Sequence, residues 1–238
     1  MKNLHIITPV KDSIESTIQT IRALLSSSIG VPYTYTVYND FSTPENTALL
    51  EIYSRELEFD LVNLAEITDH PSPNYLLVLQ MAQKRAVEDG ADLLIVESDV
   101  VVNDYTVQSL VEGAEEREDC GIAAAVTVDE QGEINYPYNY AKGREGEAYA
   151  VDKHCSFCCS LLTNRLLNAY NFTKLDPDKH WFDVHISHIS QDLGLNNYLF
   201  CNLPVTHRPH GSRPWKQLKY SHPIKYYLNK FFKRVDKI

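Results

Sequence analysis

The chain of 238 residues is long enough for one large domain, and its 44% hydrophobic and 23% charged residues exclude a disordered or fibrous protein. Its 22 basic and 32 acidic residues give a formal net charge of −10, which argues against a general nucleic-acid binder. We find no signal-peptide pattern and no apolar stretch of about 18 residues, so we expect a cytoplasmic protein without a transmembrane helix.

Apolar runs alternate with segments of helical periodicity through the first half of the chain. This alternation predicts an α/β fold in which parallel strands are joined by right-handed crossovers. Ser13 is the expected N-cap of the first helix, and Pro44 lies in the first turn of the second. The predicted strands cover residues 4–9, 33–38, 61–67, 92–97 and 121–128, and the predicted helices cover residues 14–25, a segment opening at 43–45, 75–88 and 104–117.

The alternation stops after residue 128. Gln131 and Gly132 suggest a hairpin, and a Tyr/Pro/Gly loop follows, whose tyrosines could stack on a sugar or pack within the loop. Helical patterns cover residues 155–170 and 182–191, and a strand is predicted at 198–203.

Acidic residues follow the most clearly bounded strand of the sequence. In parallel sheets, ligands bind beyond the carboxyl ends of the strands. Glu97 and Asp99 at such an end could reach one divalent cation and a diphosphate that it bridges. Acidic residues also end strands as turn formers, so position alone leaves both interpretations open.

The segment Glu97-Ser98-Asp99, with the strand before it, resembles the DxD segment of family 2 glycosyltransferases of the GT-A fold. Other motifs of this family follow in the same order, and together they cover residues 4–211. They are similar to HIITPVKD at 5–12, VYNDFSTPENT at 37–47, the helix of residues 74–86, the segment ending in RLL at 165–167, WFDVHIS at 181–187 and VTH at 205–207.

The resemblance implies a GT-A-like, Rossmann-type, mostly parallel sheet flanked by helices. It also implies transfer of a sugar from a nucleotide-diphosphate sugar to a glycan or lipid-linked acceptor, with inversion. We expect a single domain at 1–213, with a nucleotide-sugar-binding half (1–128), an acceptor-side half (129–213) and a tail (214–238).

The resemblance also implies roles for individual residues. Asp183 is the expected general base, and a divalent cation (Mn²⁺ or Mg²⁺) is expected on Glu97, Asp99 and His207. The chain departs from the family pattern at Glu97, where Asp is usual, and at Phe182, where an acidic pair is usual. The expected donor contacts are Pro9, Lys11, Asp40, Asn74, Gln80 and Ser98.

Two other functions stay open at this point. A sugar nucleotidyltransferase shares the frame of strands and helices, but it needs a Gly/Arg-rich phosphate loop after the first strand, and residues 8–13 contain no glycine. A catalytically silent nucleotide-sugar-binding homologue is the other alternative, because of the departures at Glu97 and Phe182.

The cysteines and the tail carry further predictions. Five cysteines, an odd number, favour free thiols in a reducing cytosol, and Cys155 and Cys158 have a CxxC spacing without a second CxxC. They are therefore predicted as buried structural cysteines and not as a zinc site. From Lys216 onward the chain carries seven basic residues and one acidic residue. Apolar residues after Pro223 recur at helical spacing, so this tail helix either contacts an anionic membrane or packs onto the domain.

Overall fold

The structure is a computed structural model, and it describes residues 3–208. At its centre lies a sheet of nine strands. In chain order, the strands are β1 (Leu4–Val10), β2 (Tyr33–Asn39), β3 (Asp60–Asn63), β4 (Asp92–Val96), β5 (Val100–Val101), β6 (Cys120–Val128), β7 (Ala148–Ala150), β8 (Cys159–Leu162) and β9 (Asn196–His207). The helices are α1 (Ile14–Ser26), α2 (Pro44–Leu57), α3 (Tyr75–Glu88), α4 (Thr106–Glu115), α5 (Asn164–Ala169) and α6 (Phe182–Asp192).

The strands lie in the order β3-β2-β1-β4-β8-β6-β9-β5, with β7 paired to β9. The pairs β1–β2, β2–β3, β1–β4 and β6–β9 are parallel. The predicted α/β class and the parallel first half are therefore confirmed. β8 enters between β4 and β6 and is antiparallel to both, so the sheet is mixed.

Helices cover both faces of the sheet. The fully buried strand β4 shows why: Leu93 and Ile95 face one hydrophobic cluster, and Leu94 and Val96 face the other. Successive side chains of a strand point to opposite faces, so a strand buried on both faces is apolar throughout. The first cluster includes residues of α3, α5 and α6, and the second includes residues of α1, α2 and α4.

The prediction of one helix over residues 155–170 is wrong. The structure has strand β8 there, followed by the short helix α5. The four residues of β8 are fully buried between two partner strands, so they show no polar face. A short apolar run of this kind cannot be distinguished from a buried helical segment by its periodicity.

Smaller differences concern the ends of elements. β9 is longer than the predicted strand, and its register against β6 shifts between Ala125 and Val126. β3 is shorter than predicted, because a 3₁₀ helix occupies Leu64–Glu66. Ser13 has a positive φ of 53° and makes no side-chain cap; instead its carbonyl oxygen accepts hydrogen bonds from the hydroxyls of Ser16 and Thr17.

The helix ends of α2 and α3 agree with the sequence. Thr43 Oγ1 accepts a hydrogen bond from the backbone N–H of Asn46 at the start of α2, and Gly90 follows α3 with a φ of 61°. None of the helices within residues 3–208 is long and apolar enough to span a membrane. The predicted tail helix lies outside the described residues.

Candidate active site

Two loops meet at the carboxyl ends of β1 and β2. The backbone N–H of Asp12 donates to Ser42 Oγ at 2.8 Å, and the Asp12 carboxylate accepts from the backbone N–H of Thr43 at 2.8 Å and from Asn46 Nδ2 at 3.1 Å. The hydrogen bond from Thr43, followed by that from Asn46, lowers the pKa of Asp12. The loop after β1 is thereby tied to the start of α2.

Asp40 lies beside this junction and is almost completely buried. Its Oδ2 accepts hydrogen bonds from Ser72 Oγ at 2.7 Å and from the backbone N–H of Asn74 at 2.9 Å, and its Oδ1 accepts from Asn74 Nδ2 at 2.8 Å. Lys11 Nζ donates to the carbonyl oxygens of Phe41 at 2.8 Å and of Asp40 at 3.4 Å. We call Lys11, Asp40, Ser72 and Asn74 the Asp40 corner.

The hydrogen bonds of the Asp40 corner fix its carboxylate in one orientation. A carboxylate offers about four acceptor positions, and three of those on Asp40 are used by Ser72 and Asn74. The remaining position, on Oδ1, can accept a hydrogen bond from a ligand. The corner is therefore held in shape by hydrogen bonds within the chain.

The turn after β4 carries the second group of polar side chains. β5 pairs with the end of β9 so that Val100 lies opposite His207, and the backbone N–H of Arg208 donates to the Asp99 carbonyl oxygen at 3.0 Å. The backbone N–H of Glu97 donates to the carbonyl oxygen of Cys158 at 2.9 Å. Residues from three distant parts of the sequence thus meet at one edge of the sheet.

We call Glu97, Asp99, Cys158 and His207 the metal cluster. Nε2 of His207 lies 3.6 Å from Asp99 Oδ2 and 4.0 Å from Cys158 Sγ, and Cys158 Sγ lies 3.3 Å from Glu97 Oε2. In residues 3–208, Glu97, Cys158 and His207 form a group whose ligand atoms all lie within 4.8 Å of one another. The structure therefore brings the three predicted metal ligands together and adds a cysteine.

The ring of His207 is oriented by the chain itself. Its Nδ1 lies 3.2 Å from the Tyr136 carbonyl oxygen, which can only accept a hydrogen bond, so Nδ1–H is the donor and Nε2 faces the metal cluster. Burial disfavours the charged imidazole, but the hydrogen bond and charge of Asp99, together with Glu97 and the Tyr136 carbonyl, outweigh it and raise the pKa of His207. A carboxylate-rich surrounding of this kind favours a positive charge at Nε2.

Cys158 is the member of the metal cluster that the sequence interpretation missed. Burial, and after it the charge of Glu97, raises the pKa of this thiol well above its ordinary value, so the S–H donates to Glu97 Oε2. The prediction of buried structural cysteines is confirmed for burial, because all five cysteines are buried and free. Cys158, however, also faces two of the predicted metal ligands.

The other predicted site residues lie around these two groups. Pro9 is paired with Tyr38 in the β1–β2 ladder, and Ser98 is buried in the turn between Glu97 and Asp99. Gln80 lies in the middle of α3, where its Nε2 donates to the Phe172 carbonyl oxygen at 3.2 Å. The structure does not bring Gln80 into contact with the Asp40 corner.

Asp183 lies in the first turn of α6. The start of α6 is next to the start of α3, since the rings of Phe182 and Tyr75 lie 6.4 Å apart between centroids. Oδ1 of Asp183 accepts a hydrogen bond from the backbone N–H of Val184 at 2.9 Å. Asp183 thereby belongs to the helix end that adjoins Asn74 of the Asp40 corner.

The tyrosines of the loop after β6 divide between two roles. Tyr138 is fully buried and its hydroxyl bonds to the backbone of Ser156, and Tyr140 packs edge-on against it with ring centroids 6.0 Å apart. Tyr136 is 42% exposed, and its carbonyl oxygen orients His207. Packing therefore accounts for two of the three rings, whereas the side chain of Tyr136 is partly exposed.

The chemistry of the metal cluster fits a divalent cation. Carboxylates suit Mg²⁺ and Mn²⁺, whereas imidazole and thiolate suit transition metals. Glu97 and Asp99 supply two carboxylates, and His207 supplies a ring nitrogen already turned toward them. Such a mixed set fits Mn²⁺ better than Mg²⁺.

No protein-family model matches the chain, and no curated protein matches it in sequence. Solved structures do match its fold. Residues 1–349 of TarS from S. aureus are 17% identical with a TM-score of 0.61, over 87% of this chain and 58% of that one. Mannosyltransferase PcManGT from Pyrobaculum calidifontis, in complex with GDP-Man and Mn²⁺, is 13% identical with a TM-score of 0.66, over 96% of this chain and 64% of that one.

GalNAc-T7, in a structure with UDP, GalNAc and Mn²⁺, is 9% identical with a TM-score of 0.62, over 87% of this chain and 44% of that one. The chain thus spans less than two thirds of the length of each of these three proteins. At these identities the similarity shows the fold, and the fold is GT-A-like. The resemblance inferred from the sequence motifs is therefore confirmed at the level of fold.

Proposed function

We propose that this chain is a glycosyltransferase that moves a sugar from a nucleotide-diphosphate sugar to a glycan or glycolipid hydroxyl, with inversion and with a divalent cation. The observation that carries the proposal is the convergence of Glu97, Asp99 and His207 at one edge of a GT-A-like sheet. Two of the structural neighbours contain Mn²⁺ together with GDP-Man, or with UDP and GalNAc, which supports the same cofactor and donor class here.

The Asp40 corner is the proposed site for the nucleoside of the donor. The free acceptor position on Asp40 Oδ1 suits an N–H of the base or a ribose hydroxyl, and Lys11 holds the loop that carries Asp40. Pro9, near the end of β1, and Ser98, in the turn after β4, are further proposed donor contacts. Gln80 as a donor contact stays a prediction.

The metal cluster is the proposed site for the diphosphate. A bound divalent cation supplies charge stabilisation to the departing diphosphate, as a Lewis acid. Glu97, Asp99 and His207 would hold this cation, and the Tyr136 carbonyl keeps His207 Nε2 directed toward it. These residues thus position the leaving group and do not themselves exchange protons with the acceptor.

Asp183 is the proposed general base. It would accept the proton of the acceptor hydroxyl while the hydroxyl oxygen attacks the anomeric carbon and the nucleoside diphosphate leaves from the opposite side. This in-line displacement inverts the anomeric centre. General base catalysis contributes typically about 10²–10⁴-fold to the rate.

The basic tail leads to a proposal about location. A helix with lysines on one face and aromatic residues on the other can lie on an anionic membrane, with each basic residue worth about 1 kcal/mol. This would bring a cytoplasmic enzyme to lipid-linked acceptors of polysaccharide synthesis. We expect the full chain to co-sediment with anionic liposomes at low salt, and a variant ending at Ser221 to stay in the supernatant. Equal recovery of both in the supernatant would refute membrane contact.

Donor turnover tests the proposed activity. UDP- and GDP-sugars are incubated with the full chain and Mn²⁺, with and without glycan acceptors, and released nucleoside diphosphate is measured. We expect slow hydrolysis of one donor without acceptor, and loss of this hydrolysis when Mn²⁺ is chelated. Formation of sugar 1-phosphate from the donor and pyrophosphate would instead identify a nucleotidyltransferase. Binding of a donor without turnover would identify a silent homologue.

A further inference from the structure

The thiol of Cys158 occupies a place that neither the donor site nor the general base explains. It is 3% exposed, it lies 3.3 Å from Glu97 Oε2 and 4.0 Å from His207 Nε2, and Ser156 Oγ lies 3.3 Å away on its other side. The other cysteine of the CxxC spacing does not share this place, because Cys155 Sγ lies 4.0 Å from the Tyr198 carbonyl oxygen. The thiol is therefore placed with two predicted metal ligands and apart from its CxxC partner.

The spacing of these atoms can be compared with that of a tetrahedral metal site. Metal–sulfur bonds of about 2.3 Å and metal–nitrogen bonds of about 2.0–2.1 Å place neighbouring ligand atoms about 3.5 Å apart. The distances from Cys158 Sγ to Glu97 and to His207, 3.3 and 4.0 Å, lie on either side of this value. Shifts of a few tenths of an ångström would therefore bring Cys158 Sγ to this spacing from both other ligand atoms, and all three ligand atoms lie within 4.8 Å of one another.

We propose that Cys158 is a protein ligand of the metal cluster, together with Glu97 and His207, and that it makes the site select thiophilic ions such as Zn²⁺ and Co²⁺ over Mg²⁺. This inference deepens the proposed function and rests on its metal site. On binding, the ion replaces the proton of the thiol, which passes to solvent, and a metal–sulfur bond forms. With Asp99 of the proposed metal site as a further protein ligand, an ion with five or six coordination positions keeps at least one open for a diphosphate oxygen of a donor.

The chemistry of the ligands gives the expected order of affinity. Thiolate is a soft ligand, and divalent affinities rise from Mn²⁺ through Co²⁺, while Mg²⁺ prefers oxygen ligands and gives up its water reluctantly. A site made of two carboxylates and imidazole alone would discriminate less strongly. Cys158 therefore shifts the preference of the metal cluster toward the transition metals.

Cobalt spectroscopy tests this inference without any turnover. The full chain is titrated with Co²⁺ under reducing, metal-free conditions, and the absorption spectrum is recorded. Bonding of sulfur to Co²⁺ gives a thiolate-to-metal charge-transfer band in the near ultraviolet. We expect this band to appear at one equivalent and to disappear when Zn²⁺ is added, whereas an excess of Mg²⁺ should leave it in place.

Two serine variants separate Cys158 from the other thiols. In Cys158→Ser the hydroxyl can still donate to Glu97, but the charge-transfer band should be lost and the Co²⁺ dissociation constant should rise at least about tenfold. Cys159→Ser is the matched control, because Cys159 is buried next in the chain and belongs to no metal group among residues 3–208. The charge-transfer band and the Co²⁺ affinity of Cys159→Ser should equal those of the parent chain.

The outcomes separate this inference from the proposed function. Tight Co²⁺ binding without a charge-transfer band, unchanged in Cys158→Ser and lost in Asp99→Asn, would overturn the role of Cys158 and keep the metal site. A charge-transfer band that persists in Cys158→Ser would also overturn the role of Cys158, because another thiol would then be the ligand. Absence of Co²⁺ and Mn²⁺ binding to the parent chain would overturn both.

Discussion

The Asp40 corner and the metal cluster lie at the same edge of the sheet, yet their carboxylates are held in different ways. Both oxygens of Asp40 accept hydrogen bonds from Ser72 or Asn74. In the metal cluster, Asp99 faces an imidazole nitrogen at 3.6 Å, and Glu97 faces a thiol at 3.3 Å. The Asp40 carboxylate is surrounded by N–H and O–H groups of the protein. The carboxylates of Asp99 and Glu97 instead lie close to an imidazole nitrogen and a thiol sulfur, which are metal-ligand atoms.

This difference indicates what each region needs from its ligand. A buried carboxylate whose two oxygens accept several hydrogen bonds is held in place by the protein, so the Asp40 corner keeps its shape without a ligand. Two carboxylates that approach one histidine concentrate negative charge, which a divalent cation would compensate. We therefore expect the Asp40 corner to bind nucleoside independently of metal, and the metal cluster to bind diphosphate only with metal.

The largest expected effect belongs to neither region. Asp183→Asn should reduce sugar transfer by about 10²–10⁴-fold, because the amide cannot accept the proton of the acceptor hydroxyl. Nucleoside diphosphate affinity and its dependence on Mn²⁺ should stay unchanged, and both are measured by calorimetry beside the transfer assay. Transfer within a few-fold of the parent chain would show that another group is the base.

Asp99→Asn should weaken metal binding at the metal cluster and leave the Asp40 corner unchanged. The amide keeps the volume of this buried side chain but removes its charge, so we expect Mn²⁺ affinity to fall by at least about 10–100-fold. Nucleoside binding measured without metal should be unchanged. If Mn²⁺ still strengthened nucleotide binding to the same degree in this variant, Asp99 would not be a metal ligand.

Asp40→Ala should break the Asp40 corner alone. We expect nucleotide binding to weaken by roughly tenfold, since a hydrogen bond to a charged group is worth about 1.5–3 kcal/mol and part of this loss is offset by water. The ratio of affinities with and without Mn²⁺ should not change. Ser72→Ala is a milder control, because it removes one of three hydrogen bonds to the same carboxylate. Equal affinity in Asp40→Ala and the parent chain would exclude the role of Asp40.

The smallest effect concerns the support of α6, which carries Asp183. A Cβ added at Gly121 in β6 would collide with Ser190 Oγ of α6 and would lie 3.0 Å from Leu195 Cβ. Gly121→Ala should therefore destabilise the fold by about 1–3 kcal/mol. Thermal unfolding measures this loss, and adding Ser190→Gly should recover part of it. Metal-dependent nucleotide binding should survive in the single variant, because neither region contacts this position; its loss would couple α6 to the metal cluster.

The sequence predicted the Asp40 corner better than the metal cluster. Asp40 follows a strand that ends at Asn39, and Asn74 precedes a helix that begins at Tyr75. Both elements have clear signals in the sequence. Alternation of apolar runs placed β1, β2 and β4 within one residue of their observed ends, because a charged residue follows each of them, whereas β3 ends four residues earlier than predicted. Local signals were therefore sufficient on this side of the sheet.

The metal cluster depends on contacts between distant segments. Cys158 joins it only because β8 pairs with β4 in antiparallel register, with Cys159 opposite Val96. The sequence SFCCSLL gives no local sign of this pairing, and it was interpreted as a helix. The signal that could have found Cys158 is a combination: the chain has an odd number of cysteines, and Glu stands at the first DxD position. Motifs considered one at a time do not reveal this combination.

Metal-dependent stabilisation by nucleotides tests the proposed function most directly. UDP and GDP are added to the full chain with and without Mn²⁺, and the melting temperature is measured beside that of Asp99→Asn. A ligand at 100 times its dissociation constant stabilises by about 2.7 kcal/mol, which raises the melting temperature of a chain of this size by roughly 5–10 °C. We predict this shift for one nucleotide with Mn²⁺ in the parent chain, and a much smaller shift without Mn²⁺ or in Asp99→Asn. No shift with either nucleotide in the presence of Mn²⁺ would contradict the proposed function.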